Sequence, residues 1–111
     1  MLIGTTDLII PATHSAIAGH FPGAPIVPGA LLLAEALSRV EHANGAKLYL
    51  QKIHSAKFLK PVLPGDHITV RFERSRSQAK HRTLSIALYS AGTLVAKFIL
   101  ELTPMAGRGS Q

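Results

Sequence analysis

The sequence predicts one α+β domain, a single long helix followed by consecutive antiparallel strands. Three observations carry that prediction. Residues 30–44 form an apolar stretch with a narrow polar stripe at helical spacing. Beyond residue 67 the apolar residues fall at alternate positions, the period of half-buried strands. The chain has 111 residues with no internal repeat or linker, a length that suits one domain and one core.

The elements follow in order. Asp7–Ile10 reads as a short first strand. Residues 19–29, GHFPGAPIVPG, form a loop stiffened by Pro22, Pro25 and Pro28, with glycines that allow sharp turns. Pro28-Gly29 opens the helix, which runs from Ala30 to about Asn44 and stops at Asn44-Gly45. Glu35, Ser38, Arg39 and His42 make its polar stripe, while Ala30, Leu31, Leu33, Ala34, Leu37 and Val40 cover most of the rest. A helix this apolar needs to be enclosed, and a curved sheet would do it. Ile68, Val70 and Phe72 line one strand face, Leu84, Ile86 and Leu88 another, and Ala96, Phe98, Leu100 and Leu102 a third. Ala91-Gly92 is the tight turn between the last two strands. Pro104 ends the final strand, so residues 1–103 form the domain and residues 104–111 a loose tail.

Composition narrows the function classes. There is no cysteine, which removes disulfides, thiolate catalysis and cysteine-ligated metals and fits a cytoplasmic setting. Pro25, Pro28, Glu35 and Arg39 interrupt the longest apolar segment, so no membrane span is expected, and no secretory signal is evident. Twelve Lys and Arg against six Asp and Glu give a net charge of +6. Arg71, Arg74, Arg76, Lys80 and Arg82 gather around a hairpin turn, with Lys57 and Lys60 before it. These residues read as a solvated hairpin end or as a surface for an acidic partner. No zinc-finger spacing or basic helix points to nucleic acid. The histidines form no metal spacing with carboxylates, and Ser15, Ser38 and Ser55 lie in no nucleophile elbow.

The loop at residues 19–29 is the chemical signal. It fixes one titratable side chain, His20, just before a helix whose first N–H groups lack intrahelical acceptors. That is the beginning of an acyl-transfer or elimination site. His14, His42, His54, His67 and His81 lack such a frame.

HFPG, followed by Pro25 and by Pro28-Gly29, resembles the signature of the 3-hydroxyacyl-acyl carrier protein dehydratases, which have the hotdog fold. The stretch from Ala56 to Asp66, AKFLKPVLPGD, is similar to the strand and turn that follow the helix in that family. The resemblance covers about residues 5–103 and implies a curved antiparallel sheet wrapped around one helix. It implies a homodimer with sites that use both chains, an acidic acyl carrier protein as partner, and a substrate on a phosphopantetheine arm without a further cofactor. The implied reaction is elimination of water from a 3-hydroxyacyl thioester. His20 matches the base and Gly29 the N–H that polarises the thioester carbonyl, while Phe21, Pro22, Gly23, Pro25 and Pro28 match the loop. Leu31, Leu32 and Phe58 are expected along the acyl tunnel.

The family's acid does not carry over. Its position, five residues after the second glycine of the motif, is Ala34. Glu35 stands beside it, about 100° around the helix, and also suits an i,i+4 pair with Arg39. A shifted helix start would turn Glu35 inward; Glu41 and Asp66 are the other candidate carboxylates. Three functions therefore stay open: a dehydratase, a non-catalytic acyl-chain or carrier-binding module, and a hotdog thioesterase.

Overall fold

The computed structural model describes residues 2–13, 26–75 and 82–103. Its elements are β1 (Leu2–Leu8), α1 (Gly29–Asn44), β2 (Leu50–Phe58), β3 (Ile68–Ser75), β4 (Arg82–Ser90) and β5 (Thr93–Leu102). The alternation beyond residue 67 becomes the antiparallel run β3-β4-β5, flanked by β1 and β2 to give the order β1-β3-β4-β5-β2. One helix against a five-stranded antiparallel sheet is the hotdog arrangement that the resemblance implies.

The inner face follows from the period of two. Val70 and Phe72, Leu84, Ile86 and Leu88, and Phe98, Leu100 and Leu102 are all buried. The helix meets them with Leu32, Ala36 and Val40, one residue per turn and all buried. Leu31, Leu33 and Leu37 pack at the margin of this core, whereas Ala30 and Ala34 are exposed. The sheet of one chain thus covers one side of the helix, a narrower contact than a fully enclosed helix requires.

The first strand lies earlier than the sequence suggests. Its pairing with β3 runs from Leu2↔Arg74 to Leu8↔Ile68, so the strand ends where Asp7–Ile10 was expected to be centred. Gly4, Thr5 and Thr6 carry little apolar signal, and the open edge of β3 organises them instead. Ile10 lies past the strand yet is buried, and its carbonyl accepts the Gly65 N–H at 2.9 Å. β2 likewise begins at Leu50, well before the quoted stretch from Ala56.

The turns match their residues. Gly45 closes the helix in the left-handed region, its N–H donating to the Glu41 and His42 carbonyls. Ala91 and Gly92 both have positive φ, 50° and 81°, as a two-residue hairpin of primed type demands. Asp66 accepts the Leu63 N–H through Oδ2 at 2.9 Å and donates its own N–H to the Leu63 carbonyl, which makes it a turn residue.

Two stability outcomes follow from this packing. Ile86→Ala, at the centre of the inner face, is expected to cost about 2–5 kcal/mol in urea unfolding. Thr69→Ala, on the exposed face of β3, should stay within about 0.5 kcal/mol of the parent.

Candidate functional site

The helix start is built by backbone contacts from two loops. The Val27 N–H donates to the Val62 carbonyl at 2.8 Å, joining the approach to the helix to the segment after β2. Pro28 then takes the N-cap in extended conformation (φ −61°, ψ 145°) with no side-chain cap, and its carbonyl accepts the Leu32 N–H at 3.0 Å. Proline has no N–H, and no acidic residue stands in the first turn, so the positive helix end carries no charge compensation of its own.

Beside this terminus lies an open, mainly apolar groove of about 460 Å³. Ile26, Val27, Gly29, Leu32, Phe58 and residues 59–62 line it, and Lys60 is the only charged side chain among the described residues there. Phe58 packs edge-on against Phe98, with ring centroids 5.6 Å apart at 67°, and stands over Gly29. A methyl group placed on Gly29 would lie only 2.8 Å from Phe58 Cζ. A side chain at Gly29 would have to displace the Phe58 ring, so the glycine favours the close approach of the β2 end and the helix start.

Of the site residues expected from sequence, Gly29, Leu32 and Phe58 meet in this groove. Pro28 caps the helix beside it, and Leu31 is half-buried on the helix flank. His20, Phe21, Pro22, Gly23 and Pro25 lie outside the described residues. Ala34 is exposed, about 160° around the helix from the buried stripe centred on Ala36. Glu35 is half-buried on the flank between those two directions. The other carboxylates have structural work: Glu41 Oε2 accepts the Leu48 N–H at 2.8 Å, and Asp66 holds its turn. Arg39 Nε donates to the Asp7 carbonyl at 3.1 Å, tying the helix to β1.

Sequence reasoning missed two features. Ile26, Leu59 and Pro61 line the groove, and the KPV run after the strand was the available signal. His54 Nε2 meets Glu101 Oε1 at 2.9 Å, although Glu101 is only 8% exposed. The β2–β5 register shifts between Ile53 and Ser55, and this bulge carries His54 to Glu101, a displacement that alternation alone does not foretell. Among the described residues no cluster of metal-ligating side chains occurs, and no helix is long and apolar enough to cross a membrane.

Residues 4–97 match the family model for ApeI-like dehydratases, described as ApeI dehydratase. The chain belongs to the ApeI-like dehydratase family. It is also similar to 3-hydroxyacyl-[acyl-carrier-protein] dehydratase FabZ of Bartonella quintana, with 31% identity over 103 residues, 86% of this chain and 65% of that protein. The FabZ protein of Polynucleobacter necessarius is 44% identical over 69 residues, 53% of this chain and 46% of that protein. The chain thus spans less than two thirds of the length of these curated relatives. Solved structures share the ApeI-like fold. The dehydratase heterocomplex ApeI:P from Xenorhabdus doucetiae superposes with a TM-score of 0.77 at 17% identity, over 92% of this chain and 88% of that one. An (R)-hydratase from A. caviae gives 0.72 at 18% identity, over 92% and 93%.

The contact between Gly29 and Phe58 can be measured. Gly29→Ala should destabilise the protein by about 1–3 kcal/mol through overpacking, although alanine is ordinarily the better helix former. In a Phe58→Ala background the same change should be neutral or stabilising, and a double-mutant cycle by thermal unfolding checks the coupling.

Proposed function

We propose that this chain dehydrates (3R)-hydroxyacyl thioesters carried on acyl carrier protein, giving the trans-2-enoyl product in acyl-chain synthesis. The observation that carries the reading is the meeting of an uncapped helix N-terminus and an apolar groove at Gly29. Membership of the ApeI-like family and similarity to FabZ proteins support it. His20, in its neutral form, removes a proton from C2, and the electron pair forms the C2–C3 double bond as the C3 hydroxyl departs. The Gly29 N–H stabilises the enolate-like oxygen that develops on the thioester. A proton delivered to the hydroxyl completes the water molecule. The elimination is redox-neutral, so it calls for no cofactor beyond the carrier's phosphopantetheine arm. Phe21, Pro22, Gly23 and Pro28 shape the approach, and Leu31, Leu32 and Phe58 face the acyl chain.

The working unit in this reading is a homodimer in the cytoplasm. β2 is an edge strand, and its Leu50, Ile53 and Phe58 are 38%, 46% and 52% exposed. Such an apolar edge suits pairing with the same strand of a second copy. The exposed face around Ala34 would then turn toward the partner, where the family's acid acts. With alanine there, the chain lacks that acid unless Glu35 replaces it. The alanine is also the observation that favours a second reading, a module that binds acyl-carrier thioesters without turning them over.

Absorbance of the conjugated enoyl product separates the two readings. His20→Ala should abolish turnover and leave the thermal midpoint within about 2 °C of the parent; a large loss of stability with activity retained would make the histidine structural. A positioned acid is worth typically about 10²–10⁴-fold in rate, so Ala34→Glu should raise turnover strongly while Glu35→Gln changes little. The reverse order would assign the acid to Glu35. Light scattering at micromolar concentration should give a dimer, and a monomer would overturn the shared site.

A further inference from the structure

The turn at Pro64-Gly65 carries a carboxylate that the turn itself does not need. Pro64 takes its second position and Gly65 its third, with φ 92°, the placement that a type II turn favours. The Asp66 N–H closes it by donating to the Leu63 carbonyl at 3.1 Å. The Gly65 N–H donates to the Ile10 carbonyl at 2.9 Å and fastens the turn to the chain after β1. Backbone bonds thus hold the turn, and the Asp66 side chain adds something else. Its Oδ2 accepts the Leu63 N–H at 2.9 Å. That N–H belongs to the same planar peptide group as the Val62 carbonyl, which accepts the Val27 N–H at 2.8 Å. One rigid unit is therefore gripped at both ends, by a carboxylate on one side and by the approach to the helix on the other.

We infer that Asp66 is a positioning residue for the helix start, acting through the Val62–Leu63 peptide on Val27 and so on the Gly29 N–H. A hydrogen bond to a charged acceptor is stronger than a neutral one, and it polarises the peptide that donates it. The Val62 carbonyl becomes the better acceptor for that reason. Val27 and Val62 are each only 4% exposed, so water is a poor substitute when the peptide rotates and the bond opens. Only Pro28 stands between Val27 and Gly29, and no side chain caps the helix there. The Val27–Val62 bond and the Phe58 ring thereby fix where the first turn begins. A shift on the order of 1 Å in a reacting geometry can cost about a hundredfold in rate. The effect on turnover rests on the dehydratase reading, in which the Gly29 N–H meets the thioester; the coupling of Asp66 to Val27 does not.

The test uses the full chain, with hydrogen exchange by NMR to read the Val27 amide and enoyl absorbance to read kcat and KM. Asp66→Ala should speed exchange at Val27 at least tenfold relative to the β4 core amides. It should also lower kcat at least tenfold and change KM less than threefold, because the Gly29 N–H acts mainly on the developing charge. Asp66→Asn keeps an acceptor in the same place and should stay within threefold of the parent in both readouts. Ile86→Val, a core change that lowers the thermal midpoint without touching the turn, should leave kcat within twofold and Val27 in step with the β4 amides. Asp66→Glu moves the carboxylate by one methylene, carries the test if the alanine protein does not fold, and should lose at least threefold in kcat. Unchanged Val27 exchange in the alanine and glutamate variants would overturn the positioning role. So would a loss of kcat in Asp66→Asn as large as in Asp66→Ala, or an equal loss in Ile86→Val. A parent without turnover counts against the dehydratase reading alone, and Val27 exchange then decides the role of Asp66 by itself.

Discussion

The structure depends on one packed core, in which the buried helix stripe Leu32–Ala36–Val40 joins the inner faces of β3, β4 and β5. Apolar burial is the main favourable term for a chain of this size, and these residues hold most of it in one place. Ala36 is fully buried between Leu32 and Val40, where a larger side chain would overpack the core. With that packing fixed, every other helix position has a set direction. Ala34 turns outward, Glu35 and Arg39 lie on one flank, and Gly29 comes to the end of β2.

The same packing extends to the helix start. The Val27–Val62 hydrogen bond and the Phe58 ring hold the first turn from two sides without a side-chain cap. A Ser or Asp at the cap position would satisfy the first N–H groups and strengthen the helix by about 1 kcal/mol. Proline there leaves those groups for another acceptor, at a point where the surroundings are apolar and electrostatic interactions are correspondingly strong. Among the described residues, stability at this terminus comes from packing and from the Val27–Val62 hydrogen bond, and no side chain caps it.

The two edges of the sheet are managed differently. β1 is tied to the helix by Arg39, whose Nε donates to the Asp7 carbonyl. β2 instead presents apolar side chains on its inner side and lysines on its outer side, with a bulge that turns His54 toward the buried Glu101. An edge with that distribution is suited to meeting other molecules, and it borders the groove.

How much of this was legible beforehand varied by element, for physical reasons. The helix and its glycine stop, the Ala91-Gly92 turn and the inner faces of β3, β4 and β5 are local in origin, and the sequence by itself determined them through period and turn chemistry. The family resemblance was equally legible, because the motif that carries it lies in adjacent residues. The true extent of β1 was not, since Gly4, Thr5 and Thr6 become a strand only when β3 supplies a partner. Nor was the His54–Glu101 contact, whose members are far apart in the chain. Side-chain period is a property of one segment, whereas register is a property of two. Only the tertiary structure could decide which distant side chains came to stand together.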